Sequence, residues 1–533
     1  MKVIITFIFI FLTAITNCFS QTTAIPDANF EQKLIDLSID TNGLNGNILN
    51  SDAQAVTNLT LSGNTITNLT GLEAFVNVVT LNLGTNQFAT VPLTTLTLLE
   101  ELVFDQNVVL ANLNLSNNVN LKKLDIRANG GTNTAPITLI DLSNNIQLEH
   151  IHIYNFKLLQ NVIFPTTNTV EYVFLLMFAD INVNFSGYDN LETLFLSTNF
   201  SNSLTINVVL PNNQTTLKSA SFQGGNITNA NLSTMLGLTY LSLQQTNTQT
   251  LQLPTTNTLK TIRISGHKID NVNFANSSGL EDLSITNKSV NIPLNIDISQ
   301  NLLLKKLTAT NNYMTNIDVT QNTLLTSINV SSNQLTSLNV DQNILLKDLN
   351  AGNNLLPFIN LSQNVLLENL KLNNNVIPSL DLTTNVILDF VNISNNLFTT
   401  TGLDLTQNVL LTYFKASFNQ IESLNISQNA ILTTLILDHN LFSGTAILDQ
   451  FYTLRLNNDG IYFGKLDVSF NNLSGNIPNY TSLFHLGTPS STNWTRRFEL
   501  FINDNNFEFG HFENQHSNYV LATNTYVPTT FTT

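Results

Sequence analysis

The chain of 533 residues is long enough for three or four ordinary domains or for one long array of small repeats. Only 11% of its residues are charged while 42% are hydrophobic, which excludes a highly charged disordered chain and a coiled coil. A formal net charge of −16 without any local Lys/Arg cluster argues against a nucleic-acid partner, because phosphate binding needs a cationic footprint.

Residues 1–20 carry a cation at Lys2, a twelve-residue, largely apolar run from Val3 to Ala14, and small or polar residues leading to Gln21. This pattern predicts a secretory signal peptide, since the run is shorter than the ~20 residues a membrane helix needs. Cleavage after Ser20 would remove Cys18, the single cysteine. Acylation at Cys18 is the alternative, with Asn17 a poor match to the small residue such sites prefer. No later stretch is long and apolar enough to span a membrane. Residues 21–55 are predicted to form an N-terminal helical cap, with Asp27 as N-cap and Phe30, Leu34 and Leu37 on one face of the helix.

From residue 56 to 515 one phrase recurs. Its template is Leu325, Ile328, Val330, Asn333 and Leu335, spaced L-x-x-L-x-L-x-x-N-x-L. The frame opens at Val56, Val78, Leu99, Leu121, Leu148, Val170, Leu191, Leu217, Leu238, Leu259, Leu280, Leu304, Leu325, Leu346, Leu367, Leu388, Leu411 and Leu432. Looser copies at Phe463 and Leu500 bring the total to twenty units, most of them 21 or 22 residues apart. In L-x-L the alternation of a short strand sends both apolar residues to one face and the middle residue to the other. The Asn that follows, as at Asn312, Asn333, Asn354, Asn375, Asn396, Asn419 and Asn440, sits where the chain turns, and its amide can pair backbone groups of adjacent coils. A second series, Asn301, Asn322, Asn343, Asn364, Asn385, Asn408 and Asn429, marks the return half, where near-identical spacing predicts extended or turn structure in place of α-helices. One unit cannot fold alone. About seven buried apolar side chains give ~14 kcal/mol, against ~30 kcal/mol of ordering entropy for its residues, so neighbours must stack.

On these residues the sequence resembles leucine-rich-repeat proteins of the exported bacterial, internalin-like branch. The resemblance implies a mostly-β repeat solenoid of the α/β type. It would be a horseshoe or superhelix of about twenty coils of ~21 residues, with one parallel sheet on its concave face and a helical cap at its N-terminus. Periodicity alone leaves a flatter two-sheet solenoid open. At the other end, Phe507, Phe509, Phe512 and Tyr519 are predicted to form an aromatic lid, followed by a tail over residues 516–533.

The outward strand positions are mostly bland, as with Ser327, Asn329 and Ser331, but three consecutive units differ. They present His150, His152 and Tyr154, then Tyr172, Phe174 and Leu176, then Thr193, Phe195 and Ser197; the two preceding units add Glu101, Asp105, Lys123, Asp125 and Arg127. Exposed aromatic and Arg side chains are the composition of a recognition hot spot. The candidate ligand-binding residues are therefore His150, His152, Tyr154, Tyr172, Phe174, Phe195, Lys123 and Arg127. The bland alternative is that a neighbouring insertion such as ANGGTNTAP covers the rings as local core, and Phe156 in the ladder position allows a distorted frame there. A smaller candidate is Phe390 with Tyr413 near Lys415. His150 and His152 share a strand face and could hold a metal ion, yet no third ligand is evident because the adjacent strand offers Lys123 and Arg127 beside Asp125, and His511, Glu513 and His516 lack the helical H-E-x-x-H spacing. No metal or cofactor is expected.

No nucleophile elbow, Walker A loop, dinucleotide fingerprint or mature cysteine nucleophile is present, so catalysis is not expected. The resemblance implies a secreted or cell-surface, non-catalytic protein that binds a protein or glycan ligand through its concave face, as in adhesion. A structural spacer or matrix module without a dedicated ligand is the alternative, and a glycan-acting enzyme a distant third.

Overall fold

The computed structural model describes residues 22–508, apart from 64–65, 108, 129–134, 202, 213–214, 228, 457–462 and 479–496. Residues 1–20 with Cys18, most of the ANGGTNTAP insertion, Phe509, Phe512, Tyr519, the group His511, Glu513 and His516, and the 516–533 tail lie outside the described residues. The chain divides into two compact units, Met1–Gln249 and Thr250–Thr533, each a mostly-β, parallel-sheet solenoid.

The first unit begins with a strand, Thr22–Ala24, paired antiparallel to Asn47–Leu49, and a helix, Ala28–Asp36. Asp27 is the helix N-cap, and one of its oxygens accepts from the backbone N–H groups of Asn29 and Phe30 at 3.0 and 3.1 Å. The other oxygen accepts from Thr67 N and Asn68 N at 2.8 and 2.9 Å, which ties the cap to the turn of the first coil. Burial raises the Asp27 pKa, but the donors from Thr67, Asn68 and Phe30 outweigh it and leave the carboxyl below its ordinary value. Phe30 and Leu34 are buried, with the Phe30 ring 6.5 Å from that of Phe75. Leu37, expected on the same face, is exposed, because the helix ends at Asp36 and Leu37 lies at the C-cap. Buried Glu31 was not singled out in the sequence; its Oε1 accepts from the backbone N–H groups of Asn45, Gly46 and Asn47.

Nine strands of the first unit form a parallel sheet: Asn58–Thr60, Thr80–Thr85, Glu101–Asp105, Lys123–Arg127, His150–Tyr154, Tyr172–Leu176, Thr193–Ser197, Ser219–Gln223 and Tyr240–Gln244. Equivalent apolar positions face each other, so that Leu102, Leu124, Ile151, Val173, Leu194, Ala220 and Leu241 form one buried row. The register slips once, between Asn82 and Gly84; Gly84 has φ +50° there, and a Cβ on it would lie 2.6 Å from Ser62 Cα.

Eleven strands of the second unit follow the same rule, from Thr261–Ser265 to Arg497–Phe501. Their buried row runs through Ile262, Leu283, Leu307, Ile328, Leu349, Leu370, Val391, Phe414, Leu435 and Leu466. The return halves are turns and short extended strands, Leu139–Asp141 pairing in parallel with Asn161–Ile163 in the first unit and Asn271–Asn273 with Asn295–Asp297 in the second, in keeping with the extended or turn structure expected, with one exception. The long interval after Leu432 holds an α-helix, Ala446–Leu456, whose Ile447, Leu448, Phe451 and Leu454 are buried at helical spacing.

Both asparagine series are ladders. Asn333 donates Nδ2–H to Ala309 O of the preceding coil and to Val330 O of its own, while its Oδ1 accepts from Asn312 N and Met314 N. Asn343, in the second series, donates to Val319 O and Asn322 O at 3.0 and 2.9 Å. Two coils of the second unit replace the first-series Asn with His267 and Lys288. The buried His267 accepts from Ile269 N at Nδ1, so its Nε2–H faces Asn312 Oδ1 at 3.2 Å. The buried Lys288 ammonium donates to Ile269 O and the Asp270 carboxylate.

Candidate functional site

The candidate residues of the first unit occupy four neighbouring strands whose inward side chains, Leu124 and Ile126, Ile151 and Ile153, Val173 and Leu175, Leu194 and Leu196, are buried. Period-two alternation therefore places Lys123, Asp125, Arg127, His150, His152, Tyr154, Tyr172, Phe174, Thr193 and Phe195 on the opposite face, all of them half-buried. Leu176 and Ser197, expected to point outward with them, are buried, because burial no longer alternates at the ends of these two strands. Phe156 occupies the ladder position as a buried core residue, and the His150–Tyr154 strand stays in register with both neighbours.

Register turns the sequence list into rows. Asp125, His152, Phe174 and Phe195 lie opposite one another across four strands, and so do Lys123, His150, Tyr172 and Thr193. Strand spacing of ~4.8 Å sets ring spacing. Phe174 stacks on Phe195 at 4.1 Å with 5° between planes, His152 packs on the other side of Phe174 at 4.4 Å, and His150 stacks on Tyr172 at 4.2 Å. Tyr154 closes on His152 edge-on at 6.3 Å.

The polar end of the patch is organised by Asp125, which the sequence placed among its neighbours but not among the binding candidates. Arg127 grips it with Nε and Nη2, each at 2.8 Å, and His152 Nδ1 stands 3.6 Å from its Oδ1. The hydrogen bond to Asp125 raises the Arg127 pKa further. Burial lowers the pKa of both His150 and His152 and outweighs the pull of Asp125, which favours the neutral imidazoles. Burial raises that of Tyr172, with Asp125 adding to it. Lys123 reaches Glu101 at 3.7 Å on the rim. Strand register sets Asp125, which the sequence reading discounted for its Lys123 and Arg127 neighbours, directly opposite His152. Asp125, His150 and His152 each bring a ligand atom within 4.8 Å of the others, the one such trio among the described residues.

In the second unit Phe390 stacks on Tyr413 at 4.4 Å, Lys415 lies on the Tyr413 strand, and Lys371 of the strand before sits over the Phe390 ring at 5.2 Å. A further stack escaped the sequence reading: Phe418, His439 and Phe470, with ring spacings of 3.9 and 4.2 Å. All three have positive φ, at a position that Asn353, Asn374 and Asn395 fill in regular coils. Left-handed backbone disfavours bulky side chains, so a ring in that column was the available signal.

Neither a protein-family model nor a curated protein matches the chain. A solved leucine-rich-repeat protein of Leptospira interrogans is 18% identical and matches 73% of this chain and 92% of its own, with a TM-score of 0.51. The Toll–Spatzle complex of Drosophila matches 79% of this chain and 60% of its own at 14% identity, also with a TM-score of 0.51. The chain has the leucine-rich-repeat fold. The functional domain of InlJ from Listeria monocytogenes is 19% identical over 87% of this chain and 78% of its own, at a TM-score of 0.38. In a leucine-rich-repeat coil the inward residues and the ladder amides build the fold, which leaves the outward strand positions for chemistry. No helix among the described residues is long and apolar enough to cross a membrane.

Proposed function

We propose that this is a secreted or cell-surface leucine-rich-repeat protein that binds a protein partner, without catalysis, through the face carrying Lys123, Arg127, His150, His152, Tyr154, Tyr172, Phe174 and Phe195. The observation that carries the reading is the half-buried aromatic row beside the Arg127–Asp125 pair, where a coil such as the one opening at Leu325 presents Ser and Asn. Rigid rings and a pre-organised guanidinium lose little entropy on binding, which is why such groups dominate interface energetics. The apolar run behind Lys2 and the internalin-like repeat pattern support export.

Ring geometry favours a protein over a glycan. Sugar rings stack on free aromatic faces, whereas Phe174 is enclosed between His152 and Phe195 and presents its edge. The bland Ser327, Asn329 and Ser331 strand supports the second reading, a spacer without a dedicated ligand. Immobilised protein offered to extracellular extracts and to a glycan array separates the two. Saturable capture of one protein that is lost in a Tyr172→Ala/Phe174→Ala variant and kept in Phe390→Ala is expected. Equal capture by all three forms, or none, sinks the site.

A further inference from the structure

We propose that Asp125, His150 and His152 form a binding site for a divalent transition-metal ion of the zinc type. The donors come from two paired strands: both histidines lie on one face, two residues apart, and Asp125 faces His152 in register. Zinc bonds of about 2.0–2.1 Å place tetrahedral ligand atoms roughly 3.4 Å apart. His152 Nδ1 and Asp125 Oδ1 are 3.6 Å apart, and the whole trio lies within 4.8 Å, so side-chain rotation closes the site without moving the sheet. Stacking on Tyr172 and Phe174 holds the two imidazoles in place, the supporting contact a metal site needs. Two imidazoles and one carboxylate suit Zn2+, Ni2+ or Cu2+ and not the all-oxygen preference of Mg2+ or Ca2+.

Arg127 is the competitor. It occupies both carboxylate oxygens of Asp125, so an ion taking Oδ1 displaces the Nε contact and leaves the Nη2 contact to Oδ2. Asp105 also acts on the guanidinium and offsets the charge brought together there. The ion and Arg127 therefore share Asp125, and weakening the guanidinium must strengthen the metal. That sign distinguishes a metal site from a merely structural cluster.

The test is calorimetric titration of the untagged protein with Zn2+, and with Co2+ followed by its visible absorption. One saturable site is expected. His150→Ala and His152→Ala should each weaken it by about 100-fold or more and Asp125→Asn by about 10-fold, while Arg127→Gln tightens it several-fold. Circular dichroism checks that each variant folds, and His152→Gln serves as the milder form should His152→Ala fail. His511→Ala/His516→Ala should bind like the parent. Absence of saturable binding, parental affinity in both histidine variants, loss confined to the His511/His516 variant, or an unchanged or weaker Arg127→Gln would each overturn the proposal.

Discussion

The coils between Asn312 and Asn440 and those between Lys123 and Phe195 share one inward pattern and differ almost everywhere else. In the former, most outward side chains are small and polar, the Phe390–Tyr413 stack with Lys371 and Lys415 being the exception, and every turn carries the same amide. In the latter, rings and charges face out, and the ladder position of the coils opening at Leu148 and Val170 holds Phe156 and Phe178. The strands nevertheless pair in register in both. Backbone geometry is thus set by the inward row, and the outward row is free to change.

The ladder gives the strongest way to break that comparison. Asn354→Ala removes donors to Val330 O and Ala351 O and an acceptor for Leu335 N, all buried, and should lower stability by about 2–4 kcal/mol in a denaturant titration. Asn364→Ala, which loses only the donors to Val340 O and Asn343 O, should cost about 1–2 kcal/mol. Equal losses would mean that the accepted bond adds nothing.

His267 tests the ladder by pH. Burial pushes its pKa down to about 4 from 6.5, with the Asn312 contact opposing. The unfolded chain then binds a proton that the folded chain refuses, so this contribution is complete above pH 6.5 and is lost as pH falls toward 4. The loss is on the order of 3 kcal/mol. His267→Asn should flatten stability across that window; an unchanged acid slope would place the sensitivity elsewhere.

Outward substitutions should matter least for folding. Phe174→Ala should cost about 1 kcal/mol through lost stacking, and Ser327→Tyr in a regular coil should stay within about 0.5 kcal/mol. A large effect from the serine change, read by thermal melting, would show that the outward row is constrained after all.

The periodicity carried the strand positions, the inward rows and both amide series, because each is a property of one coil repeated along the chain. What joins coils was harder to read. Asp125 meets His152 only through the pairing of strands from frames opening at Leu121 and Leu148, a longer interval than the template allows. His267 and Lys288 sit in the ladder column, yet a template written around Asn passes over them. Helix Ala446–Leu456 fell in an interval where the frame was silent. Leu37, Leu176 and Ser197 followed the pattern in sequence and departed from it at element ends, where the period stops governing direction.

Both ladders are directional. The side-chain amides of Asn333 and Asn343 reach back to the coil synthesised before their own, while their backbone groups pair forward with Asn353 and Asn364 of the coil to come. A nascent chain leaving the ribosome or a translocation pore can therefore add coils singly, each templated by a finished neighbour, with assembly advancing in the order of translation.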